Sequence, residues 1–147
     1  MAPASGRADL SAMALALFDT NVLIRHLTRD PPETGRAATR FLAENHDLIL
    51  TDVVVAETVY VLESYYERPR DEVATAVRAL LALPAVHVSD EELLHRAAEL
   101  YEGERLDFAE AYLAAAAERW GIDAVASFDR SLDRVPSVRR VEPGRHR

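Results

Sequence analysis

Cysteine is absent from the 147 residues, and so is lysine. The first absence excludes a disulfide framework, a thiolate zinc site and a cysteine nucleophile. The second excludes Schiff-base chemistry, a P-loop lysine and a Ser-Lys catalytic pair. The five histidines are scattered, with no H-x-x-x-H pair on a helix, which argues against a histidine zinc site. No apolar run approaches the roughly 20 residues that a membrane span requires. The opening MAPASGRADLSAMALAL has too short an apolar part for a signal peptide. It reads as a flexible leader over residues 1–12, with Met13 as an alternative start, ahead of a single domain over 13–147. A composition of 49% hydrophobic and 29% charged residues belongs to a globular chain with a real core, not to a disordered one.

All 17 basic residues are arginine, against 25 acids, for a net charge of −8. An acidic chain at first argues against nucleic acid, since phosphates attract basic side chains. Local distribution matters more. Six arginines between Arg130 and Arg147 face only Asp133 and Glu142, and Arg25, Arg29, Arg68 and Arg70 form a second set. Acids that held metal ions would also present a positive face once loaded.

Short apolar runs alternate with longer amphipathic ones. Ala14–Phe18, Leu48–Leu50, Val86–Val88 and Ala124–Ser127 read as strands, with Val138–Val141 as a fifth. Helices are expected after Asp19, over Glu33–Asn45, from a cap at Asp52 to Tyr66, from Pro69 to Leu83, over Glu91–Tyr101, and from Asp107 to Trp120 with Gly121 beyond it. The alternation predicts an α/β fold, a mainly parallel sheet of four to five strands with helices on both faces. Ligands of such sheets bind beyond the carboxyl ends of the strands, which directs attention to Asp19 and Asp129.

Acids occur where a bland role is strained. Asp19 follows a strand and would otherwise be a helix N-cap. Glu57 sits in Val53–Leu62, apolar on nearly all sides, so a buried carboxylate there needs an arginine or a metal. Asp107 and Glu110 suit a capping box, yet residues three apart also share one helix face and can enter one cleft. Asp129 ends a strand, with a turn role as the plain alternative. Together these acids offer oxygen ligands for Mg²⁺ or Mn²⁺ at one rim of a sheet, as phosphoryl chemistry requires. Thr20, Asn21 and Ser127 could orient those carboxylates or merely cap. His26 is expected at the surface or half-buried, and Trp120 in the core. Tyr60, Tyr65 and Tyr66 suit helix packing or a partner face.

Four blocks carry a resemblance: Phe18–Arg25 (FDTNVLIR), Val55–Leu62 (VAETVYVL), Leu106–Ala115 (LDFAEAYLAA) and Ser127–Arg130 (SFDR). In this order they resemble the PIN-domain family, and within it the VapC-type toxins of bacterial toxin–antitoxin pairs, over about Ala14 to Pro143. The resemblance implies a PIN-like three-layer sandwich and a cytoplasmic Mg²⁺- or Mn²⁺-dependent endoribonuclease. It also implies a homodimer and inhibition by a cognate antitoxin. Family roles carry to Asp19, Glu57 and Asp129. At the third position the family usually has Asp in an Asp-Ala context, whereas here Glu110 stands there with Asp107 one turn earlier, so either is the third ligand. The last motif opens with Ser127 and continues with Ser131, keeping a hydroxyl but lacking an acid sometimes present. Two competitors remain at this stage. A phosphoacceptor domain or haloacid-dehalogenase-like phosphatase would normally need a lysine. A non-catalytic PIN-like module would bind RNA or protein without cutting.

Overall fold

The computed structural model describes residues 15–45 and 47–145, and the leader expected over 1–12 lies outside them. The elements alternate as the sequence predicts. β1 (Ala16–Leu17) is followed by α1 (Thr20–Thr28) and α2 (Pro32–Glu44), and β2 (Leu48–Ile49) by α3 (Asp52–Ser64) and α4 (Arg70–Leu81). β3 (Val86–His87) precedes α5 (Glu91–Gly103) and α6 (Phe108–Trp120). β4 (Ala124–Ala126) leads through a 3-10 turn (Arg130–Arg134) to β5 (Arg139–Val141). All the pairings are parallel, and each crossover carries helix, as parallel neighbours require. The described strands pair as two groups, in the order β1-β2-β3 and β4-β5. Among the described residues no helix is long and apolar enough to cross a membrane.

Caps explain most helix ends. Asp19 and Asp90 cap α1 and α5 by accepting from backbone N–H groups at 3.1 and 3.2 Å. Gly121 closes α6 at φ 71°, a conformation natural to glycine. The cap of α3 is Thr51, not Asp52: its hydroxyl accepts from the Val54 N–H at 3.3 Å. Asp52 is thereby free for other partners, and it receives hydrogen bonds from Tyr112 of α6 and from Ser89.

The helices pack in a series, α2 on α1, α1 on α3, α3 on α4, α4 on α5, α5 on α6, and α6 returns to α3. Small side chains make the α5–α6 approach close, because Ala97, Ala98, Ala111, Ala114 and Ala115 are all buried. Arg96 then bridges the two helices with a two-pronged bond to Glu118 at 2.8 and 3.0 Å. On α3 the buried positions Val55, Thr58, Val59 and Leu62 follow helical spacing, leaving the opposite side in solvent. Glu57 is on that open side, which corrects the expectation that its segment is buried all round. Trp120, expected in the core, is 62% exposed at the end of α6.

Gly35 lets α2 approach the end of α1. A Cβ there would stand 2.5 Å from the Arg29 Cα and 2.9 Å from the Arg25 carbonyl oxygen, both backbone atoms. Gly35→Ala should therefore destabilise the fold by about 1–3 kcal/mol despite its better helix propensity. Chemical denaturation measures this, and an unchanged or raised midpoint would refute the close approach.

Candidate active site

Asp19 leaves β1 and caps α1. Its Oδ1 accepts the Asn21 N–H at 3.1 Å, so the capping role is real, and it fixes the carboxylate at the strand's carboxyl end. The next residue reaches across to α3, where the Thr20 hydroxyl donates to Glu57 Oε1 at 3.1 Å. Thr20 thus orients a carboxylate instead of capping its own helix. This bond joins Asp19 and Glu57 into one half of the candidate site.

The other half lies at the start of α6 and the end of β4. Asp107 occupies the N-cap position of α6, yet its side chain makes no capping bond. The capping box that its spacing with Glu110 suggests is not formed. Glu110 is instead half-buried, and its Oε2 is out of contact with solvent and without a hydrogen-bond partner. Burial pushes the Glu110 carboxyl up from the ordinary range, and the charges of Asp129 and Asp107 push it further, against an opposing hydrogen bond from Ser127. Three of the sequence-selected acids are therefore electrostatic neighbours.

Asp129 is held in the opposite sense. Hydrogen bonding from the Ser131 backbone N–H keeps its carboxyl below the usual range, with Arg134 and Arg140 acting in the same direction. The Ser131 N–H lies 2.9 Å from Asp129 Oδ1, and the Asp129 N–H donates to Ser127 Oγ at 3.0 Å. Ser127 therefore fixes the turn and engages Glu110. Arg140, one of the six arginines near the C-terminus and a residue of β5, has a side chain only 10% exposed. It donates to the Ser127 carbonyl at 3.0 Å and is paired with Asp133 and Glu142. Sequence reasoning missed this support, because an arginine excess near a terminus carries no sign of which members fold inward. Arg70 is likewise no free cation: its guanidinium reaches the carbonyls of Tyr101 and Leu106 at 2.7 and 2.6 Å.

The donor set suits a hard divalent cation. Glu110 has an unpartnered, water-excluded carboxylate oxygen pressed by two like charges, an arrangement that a cation relieves. Among the described residues no group of three or more His, Asp or Glu side chains stands close enough together to hold a metal ion as it is. Asp107 and Asp129 act on Glu110 through their charges, and Thr20, the neighbour of Asp19 in the chain, holds Glu57.

The upward displacement of Glu110 fixes a sign. The folded state holds this proton more tightly than the unfolded chain, so the contribution to stability is complete below the ordinary glutamate range of about 4.3. It is lost as pH rises through the folded value. At pH 7 without metal, Glu110→Gln should therefore raise Tm by about 1–4 °C, and the gain should vanish below about pH 4. Thermal melts across pH test this, and a lower Tm for the variant at pH 7 would refute the crowding.

A search among curated proteins finds no match. The model of the PIN domain family matches residues 16–138, a span that runs from β1 to the approach to β5 and holds Asp19, Glu57, Asp107, Glu110 and Asp129. PIN domains are typically nucleases and generally use divalent metals, in keeping with acids at the ends of parallel strands and no thiol or amine nucleophile. With well over half of its length matched, and with the α/β architecture and parallel sheet described above, the chain belongs to the PIN domain family.

Proposed function

We propose that this chain is a divalent-metal-dependent endoribonuclease, the toxin of a toxin–antitoxin pair, held inactive by a cognate antitoxin. The observation that carries the catalytic reading is the buried, unpartnered Glu110 Oε2 beside Asp129 and Asp107. The choice of RNA and of an antitoxin follows the four ordered blocks that resemble VapC-type toxins.

Asp19, Glu57, Glu110 and Asp129 would hold Mg²⁺ or Mn²⁺. Glu110 is preferred to Asp107 as the third ligand, because its oxygen is already withdrawn from water, whereas Asp107 is exposed. When bound, the ion neutralises charge on the scissile phosphate and makes an attacking water more acidic. The chain's own part is positioning. The cap at Asp19, the Thr20 bond to Glu57 and the Ser131 bond to Asp129 hold three carboxylates in fixed rotamers before substrate arrives. Asp129 is kept ionised at neutral pH, ready to act as a ligand. The ends left on the RNA would be a 5′-phosphate and a 3′-hydroxyl.

A homodimer is part of the proposal. Val53 and Tyr60 on α3 and Leu113 on α6 are 71%, 66% and 44% exposed. Val53 and Leu113, with Asp52, Ala56, Phe108, Ala109 and Tyr112, line a largely apolar cavity of about 420 Å³, and Tyr60 lines an adjoining one of about 400 Å³ that shares Ala56, Phe108 and Ala109; such a surface supports a protein partner.

Two outcomes are expected. Asp19→Asn keeps the α1 cap, since asparagine caps as well as aspartate. It should leave Tm within about 2 °C while reducing RNA cleavage by more than the 10–100-fold typical of losing a supporting partner. Sequencing of RNA 5′ ends with Mg²⁺, Mn²⁺ or chelator reads this. Full cleavage by the variant would count against the site, and chelator-insensitive binding without cleavage would favour the non-catalytic module. Light scattering should give a dimer mass for the wild type and a monomer mass for Tyr60→Glu. A monomeric wild type would remove the dimer.

A further inference from the structure

Asp107 and Glu110 reach the site through the short connection between α5 and α6. Its backbone is unusual at Arg105, whose φ of 58° lies in the left-handed region that a residue with a Cβ rarely adopts. Something must hold it, and three consecutive carbonyls show what does. The Glu104 and Arg105 carbonyls accept from Arg134 Nη1 at 3.1 and 3.3 Å. The Leu106 carbonyl accepts from Arg70 Nη1 at 2.6 Å, and the same nitrogen holds the Tyr101 carbonyl in the last turn of α5 at 2.7 Å. Two guanidinium groups from distant parts of the chain thus grip the peptide units that lead into Asp107.

The two grips differ in what lies behind them. Arg70 starts α4, is half-buried and stacks over the buried Tyr101 ring at 4.4 Å, so it is anchored on the core. Arg134 is exposed and ends the 3-10 turn that Asp129 caps. Its hydrogen bonds therefore tie the turn bearing Asp129 to the connection that ends at Asp107 and leads into the first turn of α6, where Glu110 stands.

We propose that Arg134 is a positioning residue: by joining the Asp129 turn to the Glu104 and Arg105 carbonyls, it sets how Glu110 and Asp129 stand relative to each other and so shapes the cation site. The consequence for metal affinity rests on the metal-dependent reading above, whereas the restraint on the connection does not. Because one nitrogen makes both contacts, a lysine ammonium can replace the pair, and a glutamine lacks the charge and the reach.

The test compares the full-length wild type with Arg134→Gln and Arg134→Lys. Amide hydrogen exchange at Glu104 and Ala111, whose N–H groups donate to the Leu100 and Asp107 carbonyls on either side of the connection, should speed up by about tenfold or more in Arg134→Gln. Mn²⁺ affinity by calorimetry should fall by about 10-fold, the low end for loss of a supporting partner. The melting temperature should move little, since the side chain is exposed. Arg134→Lys should restore both readings to within about threefold of wild type. Exchange and Mn²⁺ affinity that stay at wild-type values in Arg134→Gln overturn the proposal, including the case where only KM for RNA rises, which would make Arg134 a phosphate contact. A wild type that takes up no Mn²⁺ ends the metal reading. Exchange alone then decides: faster exchange in Arg134→Gln sustains the restraint, and unchanged exchange overturns it.

Discussion

Like charges brought together in a partly dry place are the constraint around which this molecule is arranged. Glu110 shares its surroundings with Asp129 and Asp107, and one of its oxygens has neither water nor a donor. Nothing about packing requires this. An alanine or leucine in the first turn of α6 would remove the repulsion, and the sequence already favours alanine on that helix. The crowding persists because the fold around it is determined elsewhere, by the alanine-lined α5–α6 contact and the buried stripe of α3. Strain retained against a well-packed background is how active sites differ from the rest of a domain.

The surrounding hydrogen bonds act on individual acids in different ways. Ser131 favours the charged form of Asp129, while burial makes the Glu110 carboxyl harder to ionise. Thr20 locks Glu57, and Asp19 is locked by its own helix. Environments that push carboxylates apart in proton affinity are the pattern expected where acids share one task. Arginine supplies the second layer. Arg140 supports the Ser127 carbonyl, and Arg134 and Arg70 hold the connection ahead of Asp107. In a chain without lysine, guanidinium groups take this role, and one Nη1 of Arg134 and one of Arg70 each donate to two carbonyls.

The outer side of α3 shows a second conflict. Val53 and Tyr60 face solvent beside Glu57, so apolar surface and a candidate ligand share one helix face. A helix that is apolar on more sides than its own domain can cover generally meets another protein. The sequence pattern alone suggests complete burial, since Val53–Leu62 has few polar breaks; the two explanations differ only in whether the covering surface belongs to the same chain.

What the sequence determined by itself was the order of elements. Hydrophobic periodicity marks strands and helices locally, and Asp19 and Asp129 announce a helix and a turn start through capping chemistry that depends on only a few neighbouring residues, whereas Asp107 stands at the start of α6 without capping it. Even so, Thr51 displaced Asp52 as the α3 cap, because two adjacent residues can both cap and the backbone selects one. Only the tertiary structure decided which side of α3 was open, that Trp120 stayed outside and that Arg140 turned inward. It alone decided that Glu110, with no hydrogen bond for one oxygen, came under the field of Asp129, nineteen positions along the chain. Those outcomes depend on contacts between distant segments, and burial and electrostatic fields are properties of the assembled neighbourhood, which no local pattern of residues encodes.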